Sequence, residues 1–201
     1  MTKIVFLDLE GVLIHELSDK RHNQHKRIES PELRAEILAE FPSRIDPKCV
    51  ERLKAFQDQY GFLIVFSSSI RKLHQSLQSL IDDYPSSGLA DLKYHEDWRT
   101  PTARNTYQGN PEDLEYWCKI HSKPVAEETA KYWRGQDVQD WLSKHPEVEQ
   151  YLAIDDSPDF YPTPMHNSLW IRNGNYYGGI GFYEPEIVDE AFERVFGASV
   201  K

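Results

Sequence analysis

Two short stretches, one at the amino terminus and one three-quarters of the way along, constrain the fold of this chain more than anything else in it. Ile4-Val5-Phe6-Leu7 runs into Asp8-Leu9-Glu10-Gly11-Val12-Leu13, and Tyr151-Leu152-Ala153-Ile154 runs into Asp155-Asp156. Apolar runs of this length, bounded by turn signals, read as strands buried on both faces of a parallel sheet. In open α/β sheets, ligands bind just beyond the carboxyl ends of the strands. If the two strands are neighbours, four acidic side chains crowd one crevice. Such a cluster is prohibitively repulsive without a cation, and oxygen-only ligands suit Mg²⁺. The pattern outlines a phosphoryl-transfer site.

The rest of the chain supplies the other layers. Strand 1 is expected over roughly Lys3 to Ile14. An insertion follows at about 15–44, polar at first, with a short helix from Pro31 to about Phe41 that puts Leu33, Ile37 and Leu38 on one face. Asp46-Pro47 is an N-cap followed by proline at the first helical position. Val50, Leu53 and Phe56 keep helical spacing, and Gly61 ends the helix. Phe62 to Phe66 is a second buried strand, closed by Ser67-Ser68-Ser69, which completes a right-handed strand–helix–strand crossover. A helix over Ile70 to Ile81 turns Leu73, Leu77, Leu80 and Ile81 inward, and a third strand lies near Leu92 to Trp98. After a second insertion at about 102–132, a helix runs from Gly135 to His145 with Val138, Trp141 and Leu142 at core spacing. Strands follow at Tyr151 to Ile154 and Ser168 to Ile171, then a hairpin turn at Arg172 to Asn175 and a last helix over Pro185 to Phe196. The expectation is a single α/β, Rossmann-like domain over 1–201. Its mostly parallel central sheet is flanked by helices, and the two insertions form a small lid or cap.

Charge narrows the partners. With 33 acids against 23 Lys and Arg, the net charge is −10, which argues against an extended nucleic-acid groove. A phosphorylated small molecule or the end of a nucleic acid remains compatible. Lys20 to Arg27 is a local basic exception, either a solvated loop or a phosphate-attracting lip. No stretch approaches the roughly 20 apolar residues of a membrane span, and no cleavable signal precedes the first strand. Cys49 and Cys118 read as buried free thiols of a reducing, cytoplasmic environment. Oligomeric state is not legible.

Asp8-Leu9-Glu10-Gly11-Val12 resembles the first signature, Asp-x-Asp-Gly-Thr/Val, of the haloacid dehalogenase-like (HAD) phosphatases. The resemblance implies Asp8 as nucleophile forming an aspartyl-phosphate and Glu10 as general acid/base, two roles that a two-displacement hydrolysis requires. Alternation along an extended chain would place residues i and i+2 on one side. Glu10 departs from the usual Asp, which leaves room for slowed turnover. Ser67 stands where that family places a phosphate-binding Ser or Thr, with Ser68 as the alternative and Arg71 one turn further on. Arg134 or Lys131 would neutralise the phosphoryl group; arginine there is a second departure, since lysine is usual. Asp155-Asp156 resembles the double-Asp metal motif, implying Mg²⁺ held by Asp8, the Glu10 carbonyl, Asp156 and Asp155. Asp159 in Ser157-Pro158-Asp159 is either an outer acid or a turn former. Ser67-Ser68-Ser69-Ile70-Arg71, Thr100-Pro101, Arg134 to Leu142 and Ile154 to Phe160 carry the likeness further, to the HAD domain associated with Swiss Army Knife RNA-repair proteins.

The resemblance implies a Mg²⁺-dependent phosphomonoesterase, with a nucleotide or RNA-end phosphate favoured. A catalytically weak binding or regulatory protein and a phosphotransferase are the rivals. Tyr94, Trp98, Tyr107, Tyr116, Trp117, Tyr132 and Trp133 would serve equally as a base-stacking platform or a hydrophobic cap. His15, His95 and His166 are scattered, with no zinc-like spacing.

Overall fold

The computed structural model describes residues 2–24, 26, 28–40, 42–101, 134–156, 163–171, 182 and 185–197. Five strands form one sheet: β1 Thr2–Leu7, β2 Leu63–Phe66, β3 Tyr94–Arg99, β4 Val148–Asp155 and β5 Ser168–Trp170. Their order is β3-β2-β1-β4-β5, and every neighbouring pair is parallel. The two acid-tipped strands are adjacent, with Leu7 level with Ile154 on one side and with Phe66 on the other.

β1 shows why continuous apolar runs mark such strands. Val5 and Leu7 pack into a large core with Leu53, Phe56, Phe62, Phe66, Phe182 and Phe192. Ile4 and Phe6 point the other way, into a smaller core with Val65, Val138, Trp141 and Ala153. All four β1 side chains are fully buried, so no polar residue fits at either parity.

Helix α3, Pro47–Tyr60, follows its sequence signals closely. The Asp46 carboxylate accepts the Lys48 N–H at 2.9 Å, Pro47 opens the helix, and Gly61 closes it at φ 74°, its N–H donating to the Gln57 carbonyl. The remaining α-helices among the described residues are α1 Glu16–Gln24, α2 Pro31–Glu40, α4 Leu77–Asp82, α5 Arg134–Leu142 and α6 Pro185–Phe192.

Four expectations need correction. Strand 1 ends at Leu7 rather than Ile14, because Leu13 and Ile14 fold back and donate their N–H groups to the Leu9 carbonyl. The stretch from 70 to 81 is not one helix. Ser68 caps a 3-10 turn over Ser69–Leu73, and Ser76 with Ser79 forms a reciprocal capping box that starts α4 afresh. Leu73 is accordingly 80% exposed. The segment Lys20 to Asn23 is helical, within α1, rather than loop. In α2 only Ile37 of the expected apolar face is buried, and Leu33 is 47% exposed. The hairpin at Arg172 to Asn175, Asp159, Cys118, and Tyr107, Tyr116, Trp117, Tyr132 and Trp133 lie outside the described residues. Among the described residues, no helix is long and apolar enough to cross a membrane.

Candidate active site

Asp8 follows β1 directly, and its N–H donates to the Ile154 carbonyl at 3.0 Å, tying the tips of β1 and β4 together. The chain then turns sharply: the Gly11 N–H donates to the Ile14 carbonyl at 2.8 Å, and Gly11 adopts φ 77°. Asp8 and Glu10 are therefore not successive projections of an extended strand. Asp8 is buried, with Oδ1 accepting the Leu9 N–H at 2.9 Å. Glu10 reaches across the crevice mouth, where its Oε2 accepts from Ser69 Oγ at 3.3 Å.

One carboxylate oxygen from each of Asp8, Asp155 and Asp156 lies within 4.8 Å of the others. The sequence-level convergence of two strand tips is thus present in space. Arg134, the first residue of α5, puts Nη1 2.7 Å from Asp8 Oδ2 and 2.6 Å from Asp155 Oδ2. Burial works against its charge, but Asp155, Asp8 and Asp156 outweigh that and hold the guanidinium above its ordinary pKa. Nη1 makes no well-aligned hydrogen bond, so charge rather than alignment governs these contacts.

Among the described residues, three carboxylates gather around one guanidinium. Octahedral oxygen ligands at about 2.1 Å from Mg²⁺ lie about 3 Å apart when adjacent and about 4.2 Å when opposed, so the cluster fits a small hard cation with little adjustment. Gly11 contributes to that fit. A Cβ added there would fall on the Asp156 carboxylate, so only glycine lets Asp156 sit against the loop. The Glu10 side chain is not one of the three; its expected place in the metal set is through its backbone carbonyl.

Two further clusters pass a distance test but not a chemical one. His15, Asp46 and Cys49 come together in the core. The Ser18 N–H donates to His15 Nδ1, so the ring proton sits on Nε2 and donates to Asp46 Oδ2 at 2.8 Å. Although burial favours protonated Asp46, the bonds from His15 and the Lys48 N–H hold its carboxyl below the ordinary value. Burial pushes the Cys49 thiol up to about 12. No nitrogen or thiolate is left to offer a metal. His95, His145 and Glu147 also converge, on the edge strand. There His145 stacks on Trp141 and sets one nitrogen 3.1 Å from Glu147 and the other 3.2 Å from Asp97. His95 Nδ1 accepts the Asp97 N–H, which fixes it as a donor at Nε2. This is an ion network, and neither cluster was legible from histidine spacing.

On the other side of β1, the Ser67 N–H donates to the Leu7 carbonyl, bringing the serine turn level with Asp8. The Ser68 hydroxyl accepts from the Ile70 N–H as the turn's cap, while Ser67 is held through its backbone. The two serines thus have different duties. Arg71 contradicts the expectation of a phosphate-binding or surface side chain. It is 2% exposed, and all five of its N–H donors are engaged. Nε donates to the Thr100 carbonyl, Nη1 to the Ser67 and Ser68 carbonyls, and Nη2 to the Pro101 carbonyl and Asp137 Oδ2. A guanidinium so committed has nothing left for a ligand. Lys131 lies outside the described residues.

The family model for the HAD domain in Swiss Army Knife RNA repair proteins matches residues 4–176, a span that includes both acid motifs, the serine turn and Arg134. No curated protein and no solved structure matches the chain. By that match, and by the all-parallel sheet and converging acid motifs inside it, the chain belongs to this family of HAD domains, which implies a hydrolase of the phosphoester type.

Proposed function

We propose that the protein is a Mg²⁺-dependent phosphomonoesterase working through an aspartyl-phosphate on Asp8. The observation that carries the reading is the meeting of Asp8, Asp155 and Asp156 within 4.8 Å beside Arg134. Asp8, Asp155, Asp156 and the Glu10 carbonyl would hold Mg²⁺, which when bound offsets negative charge on the phosphoryl group and the carboxylates.

A carboxylate oxygen of Asp8 attacks phosphorus and the P–O bond to the leaving group breaks. Glu10, at the crevice mouth, donates its proton to the departing alkoxide. In the second displacement Glu10 takes a proton from water as that water attacks phosphorus. The P–O bond to Asp8 then breaks, and inorganic phosphate leaves with the enzyme restored. Arg134 and Ser67 hold the non-reacting phosphoryl oxygens, with backbone N–H groups of the serine turn adding donors.

A nucleotide or nucleic-acid-end phosphate is the favoured substrate. The family description places these domains in RNA repair proteins, and a net charge of −10 suits a chain end or small molecule better than a long backbone. The first insertion, with α1 carrying Lys20 and Arg21, serves as a lid over that substrate.

The test compares wild type and Asp8→Asn on para-nitrophenyl phosphate and on oligonucleotides bearing terminal phosphates, with and without Mg²⁺. The expected result is Mg²⁺-dependent release of phosphate by wild type, and a loss of about 10⁴-fold or more in the variant. Equal inertness of both proteins across the panel would replace this reading with that of a binding protein.

A further inference from the structure

Arg71 and Asp137 take no part in the chemistry just described, yet they are the most completely buried ion pair among the described residues. Arg71 is 2% exposed and Asp137 0%, with Nη2 and Oδ2 2.5 Å apart. The neighbours of the Arg71 guanidinium come from three parts of the site. Nη1 meets the Ser67 and Ser68 carbonyls at 2.6 Å each, at the turn that follows β2. Nε and Nη2 meet the Thr100 and Pro101 carbonyls at 3.0 Å, at the root of the second insertion. Asp137 lies one turn along α5 from Arg134, so the two side chains leave neighbouring positions of one helix.

We infer that the Arg71–Asp137 pair is a positioning device that holds the serine turn and Arg134 in one frame, so that both meet the same phosphoryl group. The inference rests on the phosphatase reading and deepens it. Ser67 is tied to β1 through the Leu7 carbonyl, and Arg134 reaches the tips of β1 and β4 through Asp8 and Asp155. The Arg71–Asp137 pair adds a direct tie between the serine turn and α5. A planar guanidinium with five directed donors fixes an orientation as well as a separation, which a single flexible ammonium cannot do. Burial, with Arg134 nearby, holds the Arg71 guanidinium below its ordinary pKa, and Asp137 opposes that shift. Arg99 adds a second tie to the same turn, through Nη1 to the Arg71 and His74 carbonyls.

The experiment uses the full chain and five proteins: wild type, Arg71→Lys, Asp137→Asn, a Ser67→Ala/Arg134→Gln background, and that background carrying Arg71→Lys. Each is measured on para-nitrophenyl phosphate for kcat and KM, and for Mg²⁺ affinity by calorimetry without substrate. Arg71→Lys keeps the charge but cannot reach five acceptors; Asp137→Asn keeps the acceptor oxygen and loses the charge. The expected result is a fall in kcat of about 30- to 100-fold for Arg71→Lys and about 10-fold for Asp137→Asn. Mg²⁺ affinity should stay within about twofold of wild type, because the carboxylate tips are untouched. Introduced into the Ser67→Ala/Arg134→Gln background, Arg71→Lys should cost less than about threefold more, since the groups it positions are already gone.

Wild-type turnover in Arg71→Lys, or a full additional loss in that background, would overturn the inference while leaving the phosphatase reading intact. A parallel collapse of Mg²⁺ affinity would overturn it too, by marking general damage. If Arg71→Lys does not fold, Asp137→Asn carries the same comparison. An inert wild type would remove both readings together.

Discussion

The tip of β2 and the joined tips of β1 and β4 lie side by side at the carboxyl end of the sheet, and they are built on opposite terms. At the β2 tip one buried guanidinium meets one carboxylate and four carbonyls, and every donor is engaged. At the β1 and β4 tips three carboxylates share one guanidinium, which touches two of them through a single nitrogen. The first region is electrostatically complete without a ligand. The second, among the described residues, sets three carboxylates around one arginine, an arrangement that suits a cation. Placed next to each other, they separate a scaffold from a reactive site more clearly than burial does, since Asp8, Asp155, Ser67 and Arg71 are all nearly inaccessible. Satisfied polar networks rigidify.

The comparison breaks most visibly through its two arginines. Removing one partner of a buried ion pair costs about 3–5 kcal/mol, so Arg71→Met should lose about that much stability. The deficit relative to wild type should be the same with and without Mg²⁺. Arg134→Met removes the guanidinium that Asp8 and Asp155 share, at a place where a cation can substitute. Its deficit should shrink when Mg²⁺ is present, by about 2.7 kcal/mol for each hundredfold excess over the dissociation constant that the variant gains relative to wild type. Urea unfolding with and without saturating MgCl₂ reads both. Equal responses of the two variants would mean that the tips do not differ as described.

A smaller effect separates two glycines that share a backbone conformation. Gly11 and Gly61 have φ of 77° and 74°. Around Gly61 nothing lies within 4 Å of an added Cβ, whereas at Gly11 that atom would fall on the Asp156 carboxylate. Gly61→Ala should cost about 1 kcal/mol of backbone strain and leave Mg²⁺ binding unchanged. Gly11→Ala carries similar strain and must also displace Asp156, so its stability should fall by up to about 3 kcal/mol. Its Mg²⁺ affinity should drop at least tenfold by calorimetry. Indistinguishable Mg²⁺ affinities in the two variants would remove Asp156 from the cation site.

Sequence reading recovered the parts of this molecule that rest on local rules. Continuous apolar runs ending in acids marked β1 and β4, and Asp46-Pro47 with Gly61 bounded α3 to within a residue. It failed where a side chain overrides a local pattern. Leu73, Leu77 and Leu80 keep helical spacing, yet the Ser76–Ser79 capping box restarts the chain and leaves Leu73 in solvent. Alternation predicted a strand through Glu10, but the positive φ at Gly11 and the carbonyl of Leu9 fold that stretch into a turn. Arg71 looked like a surface or phosphate-binding residue because its five acceptors come from positions up to 66 residues away, and no local window contains them. His15 and Asp46, 31 residues apart, were invisible for the same reason.

That last pair holds the end of the loop that follows β1, and it supplies the smallest effect. The Asp46 N–H donates to the Leu13 carbonyl at 2.9 Å, while its carboxylate caps α3 and accepts from His15. Its native pKa is depressed below the ordinary 3.8, with His15 and the Lys48 N–H outweighing burial. A carboxylate depressed on folding stabilises fully at pH values above its unfolded pKa and loses that contribution as pH falls through the native one. Asp46→Asn keeps one acceptor oxygen for the helix cap or for His15 and replaces the other with an NH₂ donor, so it removes the charge and one acceptor. At neutral pH the variant should therefore be about 1–2 kcal/mol less stable than wild type, the loss of one hydrogen bond to a charged acceptor. The gap should close as pH drops below about 3.8. Paired urea titrations across that range decide it. A gap that stays constant down to the acid limit would show that the His15–Asp46 contact is neutral packing, and that it lends the loop after β1 no charged support.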